Sequence, residues 1–229
     1  MFCSEFALVK YSEPTRLVIP LKCRCWTCDD CRPARKARLE AEARAGAPTL
    51  FITLTSRRRE GWCPDRAARL LVTAWRTVRA EYLKKHGKDS LHFLAVFEAY
   101  DSGWPHLHIV ARAKWVDQRW LSRRMGALIG SPIVDVREVG NLSKRAAYIT
   151  KYIGKNPHRF AGVKRYWRSL KYLTPADDQE PADPSCFPLW EIKRMNWRYV
   201  CFEYARMGWQ VDYTREGAAV SRPPPEVGR

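Results

Sequence analysis

Two apolar segments joined by a short turn constrain this chain more than any other feature. Leu91 to Glu98 and Pro105 to Ala113 each have the length and composition of a strand, and the loop between them carries Asp101, Ser102 and Gly103. Together they predict a β-hairpin. Around it, Thr49 to Thr55 (TLFITLT) is β-branched and aromatic and reads as a strand. After it, Asp65 can cap a helix in which Leu70, Leu71, Ala74, Trp75, Val78 and Tyr82 recur at helical spacing, ending near Gly87. Trp115 to Ile129 reads as a helix closed by Gly130, Pro132 to Val139 alternates as an edge-like strand, and a last helix begins near Asn141. The order β-α-β-β-α-β-α predicts an α+β fold, a central antiparallel sheet with helices packed on it.

The flanks are less regular. Residues 1–22 are mixed, and Ala34 to Ala45 forms a helix that Gly46 and Pro48 stop. Thr174 to Pro188 is acidic and proline-containing, hence a linker; Leu189 to Met207 reads as an aromatic-rich helix and Ser221 to Arg229 as a loose tail. The expected division is a Cys-bearing segment over 1–46, the α+β domain over 47–173, and linker, helix and tail over 174–229.

Charge narrows the partners. With 41 Lys and Arg against 24 Asp and Glu, the formal charge of +17 points to a polyanion. No apolar run approaches the ~20 residues a membrane helix needs, so nucleic acid is favoured over a membrane. The opening residues show no export signal, which leads to an expected cytoplasmic location.

Alternate side chains of a strand share a face, so His106 and His108 project together while Leu107 points inward. Glu98, eight residues before His106 on the other arm of the hairpin, can join them. This mixed nitrogen and oxygen set suits Mg²⁺ or Mn²⁺ acting on a phosphate; the plainer reading is two histidines lining a sheet face. Downstream, Lys144 to Lys155 reads KRAAYITKYIGK. On a helix, Leu142, Ala146, Ile149 and Ile153 fall on one side and Lys144, Tyr148, Lys151, Tyr152 and Lys155 on the other. A tyrosine attacking phosphorus conserves the energy of the phosphodiester, and lysines beside it can favour its anion, hold the phosphate or protonate the leaving oxygen. The alternative is a solvated basic face.

Cys23, Cys25, Cys28 and Cys31 crowd four thiols into nine residues, a pattern that structural Zn²⁺ uses in a reducing compartment. Because the long gap between ligand pairs is missing, Cys3 or Cys201 can replace one ligand; reduced thiols and a redox role are the other readings. Arg57, Arg58 and Arg59, and the run Lys164, Arg165, Trp167 and Arg168, are candidate DNA contacts, weighed against solvated charge and aromatic residues that complete a core.

Phe51-Ile52-Thr53-Leu54-Thr55, Gly103-Trp104-Pro105-His106-Leu107-His108 and Tyr148-Ile149-Thr150-Lys151-Tyr152 jointly resemble the three motifs of the HUH endonucleases, specifically the two-tyrosine rolling-circle replication initiators of single-stranded DNA phages and some plasmids. The resemblance spans about residues 23 to 165. It implies an RRM-like sheet with Glu98, His106 and His108 as metal ligands on its open face. It further implies nicking of single-stranded origin DNA, often at a hairpin, through a 5′-phosphotyrosine, with a DNA polymerase extending the 3′ hydroxyl. No Gly-x4-Gly-Lys-Ser/Thr loop follows, so unwinding would fall to a host helicase. A relaxase or transposase of the same superfamily, or a non-catalytic zinc-stabilised nucleic-acid-binding module, are the competing readings.

Overall fold

A computed structural model of the chain describes residues 3, 5–12, 14–139, 157–173, 190–214 and 216–222. In chain order its elements are β1 (Ala7–Ser12), β2 (Thr15–Pro20), α1 (Arg32–Ala45), β3 (Leu50–Thr55), α2 (Pro64–His86), β4 (Leu91–Ala99), β5 (Pro105–Ala113), α3 (Gln118–Ile129), β6 (Val134–Glu138), β7 (Tyr166–Arg168), β8 (Trp190–Lys193), α4 (Trp197–Arg206), β9 (Gln210–Tyr213) and β10 (Ala218–Ser221). They form two compact units: a central unit, Lys36–Pro175, and a terminal unit, Met1–Arg35 with Ala176–Arg229.

The central unit has one antiparallel sheet in the order β6-β3-β5-β4-β7. Strand alternation sends Leu50, Ile52, Leu54, Phe93, Phe97, Leu107 and Ile109 to one face, where Leu71, Trp75 and Val78 of α2 and Leu121 and Met125 of α3 close the core. Each large side chain so buried contributes about 1.5–3 kcal/mol. Pro64 opens α2, and Lys84, Lys85 and His86 end it where cations favour the helix dipole. Asp117 caps α3 by accepting from Trp120 N, and Gly130 ends it with φ 61°, a left-handed conformation suited to glycine. The hairpin, the strand before it and the two helices stand where the sequence predicts them. The expected helix from Asn141 lies outside the described residues, as do the segment 140–156 and the linker 174–189.

The terminal unit corrects the reading of both chain ends. Residues 1–22, taken as mixed, supply β1 and β2; the single helix expected over Leu189 to Met207 is a strand, β8, followed by the shorter α4. Ser221, assigned to the loose tail, ends β10. These pieces make one antiparallel sheet, β8-β1-β2-β10-β9, whose Ala7, Val9, Val18, Ala218 and Val220 pack with Val200, Cys201 and Tyr204 of α4. The strands are four to six residues long and pair between opposite ends of the chain, so local sequence carries little sign of them.

Candidate metal centre and its surroundings

β5 lies between β3 and β4, and the register sets Thr55, His106 and Glu98 in one cross-strand row and Thr53, His108 and Val96 in the next. Directly opposed residues of antiparallel strands share a face. The two imidazoles therefore stand on the face away from α2 and α3, nearly parallel, with centroids 6.2 Å apart and planes at 13°. Both rings are buried, whereas Glu98 is partly exposed.

Each ring is held at Nδ1 by a threonine of β3. Thr55 Oγ1 is 2.9 Å from His106 Nδ1, and Thr53 Oγ1 is 3.2 Å from His108 Nδ1. A hydroxyl both donates and accepts, so either tautomer of the ring is served and Nε2 is the nitrogen left to bind something else. His108 Nε2 meets Glu98 Oε2 at 2.7 Å. His106 Nε2 is buried and has no hydrogen-bond partner among the described residues. Burial, reinforced by the neighbouring His108 and opposed by Glu98, lowers the His106 pKa to about 4. At neutral pH it is an uncharged imidazole with an unsatisfied buried nitrogen, the state in which histidine ligates a metal. The threonines carry no sequence signal beyond their alternation in FITLT. Tyr100, exposed and edge-on to the His106 ring, likewise carries no sequence signal.

Tyr148, Tyr152, Lys151, Lys155 and Lys144 lie outside the described residues. Of the candidate DNA contacts, Arg57, Arg58, Arg59 and Lys164 are exposed; Arg58 lies over Trp104, and Arg59 over Trp62. Arg165 donates to Pro157 O at 2.6 Å, and Arg168 is 3.7 Å from Glu42. Trp167, half-buried, packs against the core beside Phe93 and Phe97, with centroids 6.4 and 5.7 Å away, because its strand position alternates to the helix-covered face. Tyr172 is buried, its hydroxyl donating to Ala43 O at 2.7 Å, and its ring occupies the space that a side chain at Gly46 would need.

In the terminal unit the Sγ atoms of Cys3, Cys23, Cys28 and Cys31 all lie within 4.8 Å of one another. Cys31 Sγ is 3.4 Å from that of Cys3 and 3.7 Å from that of Cys23. Tetrahedral zinc with Zn–S of about 2.3 Å requires S···S separations of about 3.8 Å, close to these distances. Cys25, expected as a ligand, is exposed and is not part of this group; the fourth thiol is Cys3, one of the two alternatives the spacing left open. Cys201, the other, is buried in the apolar core on the inner side of α4. Burial, with a hydrogen bond shared with Cys3, pushes the Cys31 thiol up to about 12, so this thiol would hold its proton unless a cation drew it off. The four cysteines can hold a metal such as zinc. Among the described residues this is the one set of ligands so tightly drawn together; in the histidine site Glu98 is engaged with His108.

The whole formal charge belongs to the central unit, which carries 28 of the 41 Lys and Arg and 11 of the 24 Asp and Glu, whereas the terminal unit has 13 of each. Among the described residues no helix is long and apolar enough to cross a membrane. No curated protein and no solved structure matches the chain. Residues 49–157, just under half of the 229 and including Glu98, His106, His108, Tyr148 and Tyr152, match the family model described as Replication-associated protein ORF2, which supports a replication-initiator family for this segment.

Proposed function

We propose that this chain initiates DNA replication by nicking and rejoining single-stranded origin DNA, with residues 47–173 as the nicking domain. The observation that carries the reading is the buried Nε2 of His106, without a partner among the described residues, beside the His108–Glu98 pair, inside the segment that matches a replication-associated family. His106, His108 and Glu98 would hold Mg²⁺ or Mn²⁺, and a bound ion would supply positive charge to a non-bridging oxygen of the scissile phosphate. Thr53 and Thr55 fix the ring orientations, as groups behind metal ligands commonly do. The phenolic oxygen of Tyr148 or Tyr152 attacks phosphorus; a bond to that oxygen forms, the bond to the 3′ oxygen breaks, Lys151 or Lys155 gives the leaving 3′ oxygen a proton, and the proton lost by the phenol passes to solvent water. The 5′ phosphate stays on the tyrosine, and attack by a 3′ hydroxyl reverses the step. A polymerase extends the freed 3′ end, and a host helicase unwinds.

The excess positive charge of the central unit supports its being the part that follows the DNA backbone, with Arg57, Arg58, Arg59, Lys144, Lys164 and Arg168 as contacts. Structural zinc on Cys3, Cys23, Cys28 and Cys31 would hold the start of the chain to the loop before α1.

The test is incubation with single-stranded origin DNA and Mn²⁺, followed by a denaturing gel. A protein band carrying covalent DNA is expected, absent from Tyr148→Phe/Tyr152→Phe and from His106→Ala, while salt-sensitive binding persists in both variants. Intact DNA under tight, salt-sensitive binding would instead identify a non-catalytic binding module.

A further inference from the structure

A second constellation lies in the terminal unit, where the guanidinium of Arg16, on β2, is surrounded by aromatic rings. It lies 4.8 Å from the Tyr11 centroid, 5.3 Å from Tyr204 and 4.5 Å from Trp209. Its Nη1 donates to the Tyr204 hydroxyl at 3.0 Å, and its Nε is buried with no partner among the described residues. Arg222 brings a second guanidinium to within 5.2 Å of the same Trp209 ring. These residues line a cleft of about 680 Å³, within the range of about 300–1,000 Å³ typical of small-ligand sites.

The acids nearby are already engaged. Glu203 pairs with Arg206 at 3.4 Å, and Glu191 takes the Tyr11 hydroxyl and the Lys193 ammonium. Among the described residues no carboxylate pairs with Arg16 or Arg222. In a unit with no net charge, the cleft is a local concentration of uncompensated cation and π surface. A small inorganic anion would use the guanidiniums and ignore the rings. An apolar ligand would use the rings and strip water from the guanidiniums without replacing it. A nucleotide uses both, its base stacking on an aromatic face and its phosphate pairing with arginine.

We propose that this cleft binds one nucleotide of a single-stranded nucleic acid, a contact separate from the histidine site and independent of cleavage. Arg222 and Trp209 make the contact, and Arg16 sets the ring geometry and adds charge.

The experiment is photocrosslinking of the full-length Tyr148→Phe/Tyr152→Phe protein, without divalent metal, to a single-stranded oligonucleotide carrying 5-iododeoxyuridine, with the attachment sites mapped by mass spectrometry. Adducts are expected on Trp209, Tyr204 or Tyr11. Because Arg16 also packs in the fold, the decisive variant is Arg222→Gln at the exposed rim. It should remove those adducts and lower the slope of log affinity against log salt by about 1. Trp209→Ala should weaken binding roughly 5- to 100-fold, the effect of losing one stacked base. Adducts confined to Lys36–Pro175, or a Trp209 adduct and salt slope both unchanged in Arg222→Gln, overturn the proposal.

Discussion

The central and terminal units solve the problem of folding a basic chain in opposite ways. Among the described residues of the central unit, 23 buried side chains form one apolar core between a sheet and two helices, and this unit carries all of the excess charge. Among its described residues the terminal unit packs eight buried residues in one cluster; it carries no net charge, and adds a group of four thiols and a set of arginine–aromatic contacts. A large core can tolerate a buried polar atom on its far sheet face, such as His106 Nε2, which has no partner among the described residues, whereas a small one depends on local staples. The contrast suggests where chemistry can reside in this chain and where cross-links must hold it together.

The two units should differ most once metal is withdrawn. If zinc staples the small unit, chelation or Cys31→Ser should cost a large part of the about 10–16 kcal/mol typical of structural zinc sites. Hydrogen exchange would then show protection lost in β1, β2, β8, β9 and β10 but kept in β3 to β6. Cys25→Ser should leave bound zinc unchanged, and equal loss of zinc in both variants would return Cys25 to the ligand set. Trp167→Ala tests the core of the other unit. It should destabilise by about 3 kcal/mol in urea denaturation, and single-strand affinity per folded molecule should not change. A pure affinity loss at full stability would make Trp167 a binding residue after all.

Thr55→Val leaves the shape of β3 intact and removes the group behind His106. We expect a 10- to 100-fold rise in the Mn²⁺ concentration needed for nicking, with thermal stability nearly unchanged. The smallest effect concerns Glu81, whose carboxyl pairs with Arg124 at 2.8 Å between α2 and α3. The Arg124 hydrogen bond and charge hold its pKa below the ordinary carboxylate value. The stabilisation is therefore present above that ordinary value and lost as pH falls through the depressed one. Glu81→Gln should cost about 0.5 kcal/mol at neutral pH, consistent with a partly exposed pair, and the difference from the parent should shrink in acid denaturation as pH falls through the depressed value.

Much of the central unit was legible because its signals are local. The two-residue period of β3, β4 and β5 fixes which side chains meet, so the sequence alone puts His106, His108 and Glu98 on one face. Interleaved arginines and aromatics look alike whether the ring faces water or Phe93, so the run around Trp167 carries no sign of its half-buried place. The terminal sheet was missed because its strands are short and find their partners from opposite ends of the chain.

Periodicity within a few tens of residues is enough to set the hairpin, the α+β order and the shared sheet face of Glu98 and the two histidines. Long-range packing made the remaining choices: that Cys3 rather than Cys25 joins the thiol group, that Thr53 and Thr55 stand behind the imidazoles, and that Arg16 meets three rings. Apart from Arg16 with Tyr11, those contacts join residues far apart in the chain, and a single sequence carries no record of which distant segments will pair.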